Sequence, residues 1–248
     1  MNFIRNNFAN AITLGNLFSG CVGAIHLILG NYEITAICII ISLVLDFFDG
    51  FVSRALKSDS TLGIQLDSLA DMVSFGLIPG LAMFKALEPF GTEFFGINLP
   101  FEIKYFGLFI TLFSCLRLAI YNLDEEQTYY FKGLNTPSNT VLIFGIYYVC
   151  QNGLSVGENQ NNFGNLVATF HFPSEFYLFL TILSSWLLVS PLKMIANKFK
   201  SMKLEDNYPK IVLIIGGILI LAIFQLVGIP LVVVYYIFVS LIFQKQLK

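Results

Sequence analysis

Apolar runs long enough to cross a lipid bilayer recur along the whole of this 248-residue chain. A helix needs about 20 predominantly apolar residues to span a hydrocarbon core about 30 Å thick, because each residue rises only about 1.5 Å. Such runs fall near 14–30, 34–55, 68–87, 104–122, 137–152, 175–195, 209–226 and 229–244. In lipid, every backbone polar group must find its partner within the protein, so isolated apolar runs of this kind fold as helices. The expected fold is an all-α, polytopic membrane helix bundle of about eight transmembrane helices. Residues 1–200 should form one transmembrane domain with a six-helix core. Residues 201–248 should form a C-terminal helical hairpin, with a tight turn before Pro230. Composition agrees: 56% of residues are hydrophobic and 12% charged, about half the charged fraction of a soluble domain.

Lysine and arginine placement tests this layout. With eight spans and a cytoplasmic amino terminus, the inner side holds Arg5, Arg54, Lys57, Arg117, Lys132, Lys193, Lys198, Lys200, Lys203, Lys210, Lys245 and Lys248. The outer side holds only Lys85 and Lys104. So strong a bias places both termini in the cytoplasm. The segment Met1 to Gly15 lacks a signal-peptide pattern and reads as a short amphipathic lead-in on the membrane surface. These features favour a prokaryotic cytoplasmic membrane. No nucleic-acid polymer is expected as a partner.

The chemistry is concentrated between Asp46 and Asp71, in the stretch DFFDGFVSRALKSDSTLGIQLDSLAD. Asp46, Asp49, Asp67 and Asp71 stand inside segments that otherwise read as membrane helices. Each acidic side chain at membrane depth costs roughly 2.5–3.5 kcal/mol on insertion scales, so the four need compensation. Asp46 and Asp49 are three apart and Asp67 and Asp71 four apart, spacings that put side chains on one helix face. Two neighbouring helices could aim all four into one cleft. One or two hard divalent cations, Mg²⁺ or Mn²⁺, would offset their repulsion and leave coordination positions for phosphate oxygens. Gly50 and Gly63 allow close approach of a ligand or backbone. Arg54, one turn past Gly50, suits phosphate in a forked geometry. Phosphoryl chemistry is the reading these residues favour. Two alternatives stand beside it: intramembrane salt bridges to Arg54, Lys57 and Arg117, and a cation pathway in a transporter. A transporter would spread its acidic residues over several helices near mid-membrane, whereas here they cluster at one cytoplasmic end.

The cysteines Cys21, Cys38, Cys115 and Cys150 sit in apolar runs without metal-ligand spacing and read as buried small hydrophobes. His26 and His171 lie far apart, with nothing nearby to complete a constellation.

The aspartate stretch resembles the motif of the CDP-alcohol phosphatidyltransferases, D-x-x-D-G-x-x-A-R followed by G-x-x-x-D-x-x-x-D. Here Asp46, Asp49, Gly50, Arg54, Gly63, Asp67 and Asp71 match, with eight residues between the halves and Ser53 in place of the usual alanine. Met72 to Pro79 is similar to the phosphatidylserine synthase branch of that family. So are Thr13 to Gly20, Arg117-Leu118-Ala119 with Asn122, Gly133-Leu134 and Thr136-Pro137. The resemblance covers about the first 140 residues. It departs at Ile120, where a basic residue is frequent, and at Asn135, where proline is common.

The resemblance implies transfer of the phosphatidyl group of CDP-diacylglycerol to L-serine, releasing CMP. It implies metal ligation by Asp46, Asp49, Asp67 and Asp71, with Asp71 also the general base. Gly50, Ser53, Arg54 and Gly63 would bind CDP-diacylglycerol, with Asn16 as a further polar contact to the nucleotide. Arg117 and Lys132 are candidates for the carboxylate of serine. A phosphate-bearing acceptor, glycerol phosphate or an inositol compound, would want a denser basic cluster. Members of the family are expected to be homodimers, and Gly216 and Gly217 would permit close helix packing. Membrane lipid is the remaining expected partner.

Overall fold

The computed structural model describes residues 2–56, 61–94, 96–124, 130–152, 172–195 and 204–244. Lys57, His171, Lys198, Lys200, Lys203, Lys245, Lys248 and most of the polar stretch 151–165 lie outside these residues. Contacts divide the chain into two compact units, Met1–Leu123 and Asp124–Lys248.

The first unit is built from α1 (Asn2–Ile28), α2 (Tyr32–Leu56), α3 (Thr61–Asp71), a π-helical turn (Met72–Leu77), α4 (Ile78–Leu87) and α5 (Phe109–Leu123). A 3₁₀ segment, Ile103–Leu108, leads into α5. The amino-terminal lead-in is continuous with the first helix, since α1 starts at Asn2. The π turn has a readable cause. Pro79 supplies no N–H, and its ring would crowd the carbonyl of Phe75, so the turn before it widens. α3, the π turn and α4 still run on as one apolar span, Thr61–Phe90.

Small residues and hydroxyls join these helices, as expected where lipid removes the hydrophobic drive between spans. Ser19 Oγ donates to the Cys38 carbonyl at 2.9 Å and Thr35 Oγ1 to the Gly23 carbonyl at 3.0 Å, tying α1 to α2. Gly20 faces Ser74 of the π turn, where an added Cβ would lie 3.0 Å from Ser74 Cα. Thr111 Oγ1 on α5 donates to the Gly76 carbonyl at 3.1 Å. Phe75, Ile78, Leu87, Ile103 and Ile110 are fully buried at the centre.

The second unit holds α6 (Thr136–Asn152), α7 (Ser174–Val189) and α8 (Leu204–Ile242). Ser184 Oγ donates to Asn139 Oδ1 at 2.7 Å between α7 and α6. Leu134, Leu142, Leu187, Met194 and Val233 form the core. α8 is broken at Gln225, with φ 49° and ψ −122°, into two arms that fold back on each other. Tyr235 Oη donates to the Val212 carbonyl at 2.9 Å, and Val232 lies near Gly217. The chain therefore reverses at Gln225, earlier than the turn expected before Pro230. Gly216 packs against the Tyr235 ring of the same chain, so its small size serves the hairpin itself.

Among the described residues, five helical stretches are long and apolar enough to cross a membrane: Phe8–Ile28, Tyr32–Ala55, Thr61–Phe90, Ile103–Leu123 and Asn207–Ile242, the last being the one broken at Gln225. α7 is a shorter apolar helix. The run expected over 175–195 stops at Val189 because Ser190 precedes Pro191 and is held extended, at φ −68° and ψ 151°. The chain beyond it forms β4 (Lys193–Ile195), antiparallel to β3 (Tyr130–Lys132), with Lys132 opposite Lys193. Gln244 bonds the main chain of Lys193 on both sides: the Lys193 N–H donates to Oε1 at 3.2 Å and Nε2 donates to the carbonyl at 2.7 Å. A second two-residue ribbon, β1 (Glu93–Phe94) with β2 (Ile97–Asn98), sits in the loop before α5. Apart from these ribbons the regular structure of the described residues is helical. Of the cysteines, Cys38 is buried and Cys150 half-buried, but Cys21 and Cys115 are exposed on helix surfaces. In a bilayer protein the outer face is apolar, so an apolar run does not imply burial.

Candidate functional site

The aspartate spacing does what helical geometry requires. α2 carries Asp46 and Asp49 on one face of its last turns, and α3 carries Asp67 and Asp71. One carboxylate oxygen from each of Asp46, Asp49 and Asp67 falls within 4.8 Å of the others. Asp49 and Asp71 are 5% and 8% exposed, and the other two are half-buried. Asp71 lies outside this tight trio but feels all three charges, with Arg117 as the opposing cation.

Like charges so close are unfavourable by roughly 3–4 kcal/mol per pair at an effective dielectric of about 20. Asp49 Oδ2 and Asp67 Oδ1 are moreover buried without a hydrogen-bond partner among the described residues. Bare acceptors and mutual repulsion at one point are what a hard cation with oxygen ligands would relieve. Salt bridging within the protein would instead have satisfied these oxygens. The donor set, all carboxylate, fits Mg²⁺ or Mn²⁺ better than a softer metal.

Around the trio, Arg54 is exposed at the end of α2, and its guanidinium lies over Gly50, where an added Cβ would meet Nη1 at 3.4 Å. The same guanidinium acts on Asp49. Ser53 is half-buried on α2, and Gly63 is half-buried in the first turn of α3. Arg117 is buried on α5, with its guanidinium 5.2 Å from the centre of the Tyr121 ring. One turn earlier, Ser114 is fully buried. Asn122 Nδ2 donates to Ser68 Oγ at 2.8 Å, linking α5 to the turn between Asp67 and Asp71. Lys132 belongs to the second unit, where its ammonium pairs with Asp124 at 2.8 Å.

Asn16 of α1 is fully buried, and its Nδ2 donates to Asp71 Oδ1 at 3.3 Å. Ser74 and Ser42 donate to its main-chain carbonyl at 3.1 and 3.4 Å. Thr13, one turn earlier, faces Asp49. Sequence reasoning passed over Ser42 and Ser114, and included Ser74 only as part of the Met72 to Pro79 resemblance. The available signal was a small hydroxyl residue set in an otherwise apolar helix.

Fold and site together define a helical membrane protein in which two adjacent spans converge carboxylates on one point, with a phosphate-suited arginine at its edge. A sequence model of the CDP-alcohol phosphatidyltransferases matches residues 6–172, and the chain belongs to that family. Three CDP-diacylglycerol–serine O-phosphatidyltransferases are among its relatives. That of Bacillus subtilis (strain 168) is 30% identical over 126 residues, 51% of this chain and 67% of the relative. That of Saccharomyces cerevisiae is 29% identical over 170 residues, covering 61% and 57%. That of Helicobacter pylori (strain J99) is 31% identical over 140 residues, 55% of each. The chain thus spans between about half and two thirds of the length of these relatives.

Proposed function

We propose that the protein transfers the phosphatidyl group of CDP-diacylglycerol to the hydroxyl of L-serine, giving phosphatidylserine and CMP. The observation that carries this reading is the convergence of Asp46, Asp49 and Asp67 inside the family motif, with two buried acceptors that have no hydrogen-bond partner among the described residues. The names of the relatives at about 30% identity support serine as the acceptor.

In this reading Asp46, Asp49 and Asp67, completed by Asp71, hold a divalent cation, Mg²⁺ or Mn²⁺. When bound, the ion supplies charge neutralisation for the diphosphate and its leaving group. Arg54 and Gly50 present a cation and an open backbone to the diphosphate, flanked by Ser53 and Gly63. Arg117 holds the carboxylate of serine. Lys132, whose ammonium pairs with Asp124, is a second candidate for that role. Asp71 accepts the proton of the serine hydroxyl. The bond from phosphorus to the CMP oxygen breaks and the bond to the serine oxygen forms, so CMP leaves with the electron pair.

The lysine and arginine pattern supports a site facing the cytoplasm of a prokaryotic cell, with both termini on that side. Residues 1–200 act as the transferase region and 201–248 as the hairpin. A homodimer in membrane lipid completes the reading, on the strength of the family resemblance.

The test is CMP release from CDP-diacylglycerol by purified protein with Mn²⁺ or Mg²⁺, with and without L-serine, and mass spectrometry of the lipid product. Serine-dependent release with phosphatidylserine formed is the expected result. Release only with another alcohol would move the acceptor, and no release with any alcohol from folded, metal-loaded protein would remove the transferase reading.

A further inference from the structure

Asn16 meets both aspartate-bearing segments from α1. Its carbonyl accepts hydroxyls from Ser42 of α2 and Ser74 of the π turn, which fixes the rotation of α1 about this point. Gly20, one turn on, permits the closeness by lacking a side chain opposite Ser74. From that anchored backbone the side-chain amide reaches Asp71 Oδ1 at 3.3 Å, across 55 positions of the chain. A carboxylate held at one oxygen is restrained in how it can turn, and the direction of its other oxygen is restrained with it.

Oδ1 of Asn16 is buried without a partner among the described residues, while Nδ2 points at Asp71. A side chain that leaves its acceptor bare in order to aim its donor is arranged around the group it donates to.

We infer that Asn16 is a positioning residue for Asp71, fixing the orientation in which that carboxylate meets the acceptor hydroxyl. The inference rests on the transfer reaction proposed above. It differs from the nucleotide contact that the sequence suggested for Asn16, and the two roles predict different kinetics. A nucleotide contact sets KM for CDP-diacylglycerol. A residue that orients the base sets kcat.

The experiment compares the parent protein with Asn16→Ala, Asn16→Asp and Thr35→Val, in detergent micelles with saturating Mn²⁺. Thr35 bonds the Gly23 carbonyl away from the site, so its loss weakens the same α1–α2 packing without touching Asp71. Both Asn16 variants are expected to lose about 100-fold in kcat, the scale of a misplaced reacting group. KM for CDP-diacylglycerol and for L-serine should stay within about two-fold of the parent. Thr35→Val should lower the unfolding temperature and keep the parent kcat per folded molecule. If the alanine variant is not recovered folded, Asn16→Asp has the same shape and carries the same comparison. A raised KM for CDP-diacylglycerol at unchanged kcat would overturn the inference in favour of the nucleotide contact. A kcat within about two-fold of the parent would overturn it outright. A parent protein that releases no CMP with any alcohol would remove the reaction itself, a failure visible before any variant is made.

Discussion

Gly20 on α1 and Ser74 in the π turn touch backbone to backbone: a Cβ on Gly20 would strike the Ser74 hydroxyl and lie 3.0 Å from Ser74 Cα. The contact sits one turn from Asn16 and one turn from Asp71, so it sets how near α1 stands to the proposed base. Replacement by valine forces the helices apart. Overpacking of this kind costs about 1–3 kcal/mol. Gly20→Val should therefore unfold at lower temperature and release CMP more slowly than its folded fraction explains. Thermal unfolding and CMP release on one preparation check both, and a variant that melts and turns over like the parent would remove Gly20 from this role.

The carboxylate trio makes opposite demands on stability with and without a cation. Asp67→Asn keeps the shape and removes one charge from a crowded cluster. In chelator-treated protein this variant should be at least as stable as the parent, because repulsion is relieved. With Mn²⁺ added, the parent should gain stability and the variant should not. Activity should fall by about 100-fold or more, and EDTA should abolish it in the parent until Mg²⁺ or Mn²⁺ is returned. Unfolding temperatures across a metal titration decide the matter. A metal-free variant less stable than the parent would mean that Asp67 serves as a salt-bridge partner.

Arg117 is buried on α5 with Tyr121 beneath its guanidinium and acts on Asp71. If it holds the carboxylate of serine, Arg117→Lys keeps the charge and loses the planar fork. KM for serine should rise by about tenfold, equivalent to about 1.4 kcal/mol, with KM for CDP-diacylglycerol unchanged. Initial rates over a serine series at fixed lipid provide the check. An equal rise in both constants would point to a general structural role for Arg117.

Gly133 follows β3 at φ +75°, and a Cβ there would stand 2.5 Å from the Leu188 carbonyl oxygen and 2.9 Å from that of Leu187. Its N–H donates to the Leu192 carbonyl at 2.8 Å, so the backbone has little room to shift. Gly133→Ala combines a left-handed conformation, about 1–2 kcal/mol, with a backbone clash. A lowered unfolding temperature is expected. An unchanged one would mean that the β3–β4 ribbon yields easily.

The aspartate cluster was legible because helical spacing alone aligns residues three and four apart, and little else could bring four carboxylates into apolar spans. The π turn was half legible. Pro79 is a helix-disturbing residue in the sequence, although the span expected over 68–87 ran straight through it, and the bond from Ser74 to the Asn16 carbonyl joins distant parts of the chain. The end of α7 was written in Ser190-Pro191 and was outweighed by an apolar run that continues past it. The reversal at Gln225 was hidden for a different reason. Gly228 and Pro230 are the stronger turn signals, yet Gly228 serves a close approach to the Ile220 carbonyl, 3.0 Å from where its Cβ would lie. The left-handed residue is Gln225 instead. Asn16 shows the limit most plainly: its burial and type could be read, but its partner lies 55 positions away.

The two bonds from Gln244 to the main chain of Lys193 have a meaning beyond fastening. A primary amide offers one acceptor and one donor in a plane, the same pair a peptide unit presents. Placed beside β4 on the side away from β3, the side chain imitates a single residue of a third strand. The ribbon's outer rim is thereby closed where an open one would invite another polypeptide to add itself. A glutamine just past the end of a membrane helix thus acts as a counterfeit peptide, occupying the pairing positions of Lys193 while Ser240 and Tyr236 occupy those of Ile195.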